Sequence, residues 1–127
     1  MSQELVDRTK SFAIRIVKLV QSLPEKDKVA DVLGKQVLRS GTSVGANYRS
    51  ALRGRSDKDF LSRIAIAEEE ADETIYWLEL LNEGGIVTEK KMNLLLKEAQ
   101  ELTAILTTIG KTKKENIELA KVNSPIR

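Results

Sequence analysis

Along almost the whole chain, apolar residues recur in alternating steps of three and four, a period that places them on one face of a helix and excludes the step-of-two alternation of a half-buried strand. In a first segment, about residues 4–23, Leu5, Phe12, Ile16, Leu19 and Leu23 share a face that Ala13, Val17 and Val20 widen. Pro24 disfavours helical geometry at Leu23 and has no N–H to donate, so the segment ends there. A second stripe, within about 26–53, runs Leu33, Val37, Gly41, Val44, Tyr48, Ala51. The third segment, about 56–83, opens on Ser56 as a cap, with Asp59 three residues on to complete a capping box and Asp57 favoured by the helix dipole. Phe60, Ile64, Ala67, Ala71, Ile75 and Leu78 carry it to Gly84-Gly85. Thr88 opens the fourth, about 88–110, whose stripe is Met92, Leu95, Ala99, Leu102, Leu106, Ile109. Gly110, followed by Lys111, Lys113 and Lys114, reads as a C-terminal stop, leaving 115–127 as a flexible tail. Short connections make consecutive helices antiparallel neighbours. The pattern therefore predicts an all-α, antiparallel up-down-up-down four-helix bundle over residues 1–114.

Length and composition fit that fold and narrow the chemistry. A chain of 127 residues is the size of one domain and buries roughly two-thirds of its unfolded surface. There is no cysteine and no histidine, which removes disulfides, thiolate metal sites, the cysteine nucleophile and the commonest general base. No secretory signal is visible, and charge interrupts every apolar run before the roughly 20 residues that a membrane span needs. A cytoplasmic location is the expectation.

The second helix is unusual. Arg39-Ser40-Gly41-Thr42-Ser43-Val44-Gly45-Ala46-Asn47-Tyr48-Arg49 is poor helix material, since Gly costs about 1 kcal/mol relative to Ala and Ser, Thr and Asn compete for backbone bonds. Yet the apolar stripe passes straight through it. One reading makes Gly41 and Gly45 the point where another helix approaches closely, with the hydroxyls bonding back to the backbone. The other makes the stretch a polar site for a nucleic-acid backbone or a partner chain. A phosphate-binding loop does not fit, because the glycine spacing is wrong and no Gly-Lys-Ser/Thr follows.

The run Arg39 to Asn47 closely resembles the signature of the bacterial four-helix-bundle family first noted as proteins encoded in intervening sequences of 23S ribosomal RNA genes. Ser56 to Phe60 with Ile64-Ala65-Ile66-Ala67, Glu73 to Leu78, and Leu95 to Ala99 are also similar, so the likeness extends to about Lys114. Tyr48-Arg49-Ser50-Ala51 departs from it, since many relatives carry an aliphatic residue followed by acids there. The resemblance implies protomers assembled as a homopentamer and no catalytic activity. Relatives in diversity-generating retroelements are accessory proteins that bind a reverse transcriptase and nucleic acid. By this resemblance, RNA, DNA or a protein such as a reverse transcriptase are the expected partners.

Charge is segregated although the formal net charge is only +2. Between Val32 and Ser56 the charged residues are Lys35, Arg39, Arg49, Arg53 and Arg55, with no acid. Between Ile64 and Glu83 they are Glu68, Glu69, Glu70, Asp72, Glu73, Glu79 and Glu83, with no base. Such faces either solvate their helices and pair with one another, or the basic one holds phosphates; Arg39, Arg49, Arg53 and Arg55 are the candidate polyanion contacts. Ser40, Gly41, Thr42, Ser43, Gly45, Ala46 and Asn47 are read as structural first. Tyr76 and Trp77 are read as core or interface residues ahead of base-stacking ones. A ferritin-like metal site needs inward Glu and Glu-x-x-His pairs, and here the acids flank the inward Ala67, Ala71 and Ile75. A carboxylate-only metal protein is the distant alternative. The expectation is therefore no enzyme, no cofactor and no metal. The function is either nucleic-acid binding by an oligomer or a protein–protein assembly module.

Overall fold

A computed structural model describes residues 2–123 as four α-helices: α1 Ser2–Gln21, α2 Lys28–Leu52, α3 Asp57–Glu83 and α4 Glu89–Asn123. Each boundary has a local cause. Past Gln21 the chain tightens, with Leu23 N–H donating to Val20 O at 3.2 Å, and Pro24 follows. Asp27 then caps α2, its carboxylate accepting from Val29 N at 2.9 Å and Ala30 N at 3.1 Å. Ser56 caps α3 by accepting from Asp59 N at 3.1 Å, although the reciprocal bond of a full capping box is not made. At its other end Gly85 adopts φ +82° beyond the cap Gly84. Gly85 N–H reaches Asn82 O and Ile86 N–H reaches Leu81 O, each at 3.0 Å. This is a Schellman closure, which needs a residue free to take the left-handed conformation.

The helices form a ring in chain order, α1–α2–α3–α4, with the α1–α4 seam the sparsest. Neighbours run antiparallel. Against α2, Leu23 meets Gly34, Ile16 meets Gly41 and Thr9 meets Gly45. Between α3 and α4, Asp57 meets Lys113, Ile64 meets Gly110 and Glu68 meets Thr107. The apolar stripes converge on one core in which Phe12, Ile16, Ile64, Leu78, Leu81, Met92, Leu102 and Leu106 are fully buried. Among the described residues no helix is long and apolar enough to cross a membrane.

The fourth helix corrects the sequence-based expectation. It does not stop at Gly110 but continues to Asn123, so residues 115–123 are helical and not an irregular tail; 124–127 lie outside the described residues. Glycine ends a helix only where the backbone takes the left-handed turn, and Gly110 keeps helical geometry. Its position is tied to the bundle: a Cβ there would lie 3.6 Å from Ile64 Cγ2, and one turn on Lys113 pairs with Asp57 at 2.9 Å and lies 5.7 Å from the Phe60 ring centre. Beyond Lys113, α4 passes the first residue of α3 and overhangs the end of the bundle, with Leu119 and Val122 exposed.

Candidate nucleic-acid interface

The glycine-rich stretch of α2 lies inside the bundle. A Cβ on Gly41 would sit 2.8 Å from Ile16 Cγ1, and one on Gly45 would sit 3.0 Å from Thr9 Oγ1, so α1 approaches α2 over these two residues. Ser40 is fully buried on the α3 side, where its hydroxyl and that of Thr74 hydrogen-bond at 2.8 Å. The remaining polar side chains satisfy themselves locally. Thr42 donates to Leu38 O at 2.7 Å, Ser43 to Arg39 O at 2.7 Å and Asn47 to Ser43 O at 2.9 Å. Ala46 is exposed. The stretch is thus a packing element with its polar groups engaged in the helix, and it presents no cradle of free donors.

The four candidate arginines separate into two environments. Arg39 sits between α2 and α3, bonded to Glu70 at 3.1 Å and to Glu73. Glu73 also accepts from Trp77 Nε1 at 2.9 Å. The indole N–H first, and the guanidinium with it, holds the Glu73 carboxyl below the usual carboxylate range. Trp77 in turn meets Tyr76 edge-on, ring centres 5.2 Å apart, and Tyr76 is exposed. At this level, therefore, the basic and acidic faces pair across the bundle.

One helix end away they do not. Arg49 lies in the last turn of α2, Arg53 caps its C-terminal end, and Arg55 follows in the connection to α3; all three are exposed, and none has an acidic partner within 4.0 Å among the described residues. Arg53 and Arg55 line a shallow groove over the α2–α3 turn with Ser50, Ser62 and a further arginine, Arg63. Arg63 is likewise exposed and unpaired among the described residues, and sequence reasoning missed it. A signal was available: across a short antiparallel turn, residues at similar distances on either side face one another, which places the second turn of α3 beside the last turn of α2. Asp59 is the acid in the groove. Three guanidiniums around one opening, with Arg49 one turn along the same helix, can bind phosphate oxygens in bidentate fashion. What the groove offers is positive charge and hydrogen-bond donors. Among the described residues no three acidic side chains converge to hold a metal ion.

A family model described as "23S rRNA-intervening sequence protein" matches residues 1–108. A solved structure from Bacteroides thetaiotaomicron, described as a protein of unknown function from the S23 ribosomal protein family, superposes with a TM-score of 0.80 at 39% identity, covering 87% of this chain and 99% of that one. A search among curated proteins finds no match.

Proposed function

This chain belongs to the family of 23S rRNA-intervening sequence proteins, and on that premise we propose that it is a non-enzymatic bundle that binds the phosphate backbone of RNA or DNA through Arg49, Arg53 and Arg55, joined by Arg63. The observation that carries the reading is the division among its arginines. Arg8 and Arg39 are consumed by carboxylates and Arg15 stands exposed by itself on α1, while these four are exposed, unpaired among the described residues and grouped at one end of the α2–α3 seam. Charge grouped in this way can neutralise the phosphates of a polyanion, and it carries no sequence preference of its own. In the homopentamer that the family resemblance implies, the cluster would recur in every subunit and the field would grow accordingly.

The test is binding of labelled RNA and DNA across a salt series, with the mass of the protein in solution recorded alongside. Binding should weaken steeply with salt. Replacing any one of Arg49, Arg53, Arg55 and Arg63 should flatten the log–log slope by about 0.7–0.9 for every phosphate that the side chain neutralises. Arg39→Gln, which breaks an internal pair, should leave nucleic-acid affinity within about twofold. Salt-insensitive binding, or an equal loss from Arg39→Gln, would move these arginines out of the proposal.

A second reading, assembly with copies of itself or with a protein partner such as a reverse transcriptase, is favoured by the apolar side chains left uncovered: Leu94 is 73% exposed and Val122 77% exposed. A large oligomer that binds neither RNA nor DNA would support it.

A further inference from the structure

At the end of the bundle where α4 overhangs, the four helices do not close completely. Between them lies a recess of about 390 Å³ walled by Leu5, Leu52, Phe60, Ile105 and Ile109, with Tyr48 as its polar member. Tyr48 is only 4% exposed, yet its hydroxyl has no hydrogen-bond partner among the described residues. No sealed side-chain oxygen or nitrogen goes unpartnered among them, so this hydroxyl must open on the space that its own side chain lines. A tyrosine buried to this degree ordinarily finds a partner, and here only an occupant or solvent can supply one.

The mouth adds a charge criterion. Arg8 lies on it, but its guanidinium is taken by Glu98 at 2.7 Å and Glu101 at 2.8 Å, and Glu4 stands beside it. One cation among three carboxylates leaves the α1–α4 side of the rim negative. The other cation at the wall, Lys113 against Phe60, is matched by Asp57. Of the unpaired arginines, Arg55 borders the outer face of this wall, in a depression shared with Leu52, Phe60 and Lys113, while Arg53 and Arg63 line the groove over the α2–α3 turn.

We propose that this recess is a binding site for a small uncharged molecule with a one- or two-ring apolar body and a single hydrogen-bonding group that meets the Tyr48 hydroxyl. The size fits, since a cavity of about 150 Å³ already holds benzene and ligand clefts begin at about 300 Å³. The apolar walls bind the body, Tyr48 fixes its orientation, and the negative rim discriminates against carboxylates. The site is independent of the arginine groove, so either can fail without the other.

The experiment uses the full chain, with p-cresol, toluene and p-toluate as probes at neutral pH and backbone amide NMR shifts as the readout. The expected result is saturable shifts with p-cresol centred on Leu5, Tyr48, Phe60 and Ile109. Affinity for p-toluate should be at least about tenfold lower. Tyr48→Phe should weaken p-cresol by about three- to tenfold and leave toluene unchanged, because one hydrogen bond is removed and the shape of the site is kept. Leu52→Trp, at the open wall, should abolish binding of all three probes while the thermal transition stays cooperative. Absence of saturable shifts at millimolar p-cresol, or an unaltered p-cresol affinity in Tyr48→Phe, would overturn the proposal, and equal binding of p-toluate would overturn its charge selection.

Discussion

At the scale of single residues, the three glycines inside α2 are chemically identical and structurally different. At Gly41 an added Cβ would meet the branched, fully buried Ile16 at 2.8–3.3 Å, where neither side chain nor helix can yield without repacking. At Gly34 the near atom is the tip of Leu23, at 2.9 Å, which can swing aside. Gly41→Ala should therefore lower stability by about 1–3 kcal/mol in a denaturant titration. Gly34→Ala should be neutral or raise it by up to about 1 kcal/mol, the helix-propensity gain. Glu73 supplies a pH prediction at the same scale. Its folded carboxyl lies below the ordinary value, so its contribution is present above the unfolded pKa and disappears as pH falls through the folded one. Trp77 fluorescence should report that titration below the usual carboxylate range, and Arg39→Gln should move it upward.

Between elements, polar contacts add to the apolar packing of the α2–α3, α3–α4 and α1–α4 seams, and two of them fasten their helices in different ways. Ser40 and Thr74 join α2 to α3 where both are fully buried, and Thr74 also reaches Glu70 O at 2.7 Å. Thr74→Val keeps the shape and strands the Ser40 hydroxyl, which should cost about 1–3 kcal/mol. Thr74→Val with Ser40→Ala should cost less than the two single changes added together, a coupling that a double-mutant cycle measures. The α1–α4 seam is held differently, by the fork of Arg8 on Glu98 and Glu101, and those carboxylates push the arginine further above its already high pKa. The apolar stripes were legible in the sequence, but the choice of partner helix was not contained in them. The Gly41–Gly45 pair announces a close approach, yet it is α1 that arrives there while α3 takes the Ser40 side.

For the whole molecule, the overhang of α4 and the separation of charge are the features that the order of helices does not convey. Residues 114–123 add helix without burying any side chain fully, and they lie past residue 108, where the family match ends. Removing residues 115–127 should lower the helical signal in circular dichroism while moving the thermal midpoint by less than about 4 °C, the equivalent of about 1 kcal/mol for a domain this size. The acid-free stretch from Lys35 to Arg55 was legible as a basic face. Its division into a paired Arg39 and an unpaired cluster was not, because ion pairing depends on which α3 side chains come within about 4 Å. Arg63 belongs to the cluster for the same reason, through the antiparallel turn and not through any local run of charge.

Four helices and most of their inward faces follow from the amino-acid order alone, since a stripe at helical period must be buried whatever its partner and since Asp27, Ser56 and Gly85 carry their capping chemistry locally. Gly110 escaped that reading, because whether a glycine ends a helix depends on whether the next turn has something to pack on, and Phe60 and Asp57 provide that from another helix. Which arginines meet carboxylates and which stand unpaired among the described residues, and that Tyr48 lines an open recess, were settled by the packing of the helices. Both depend on distances between residues far apart in the chain, which no local pattern encodes.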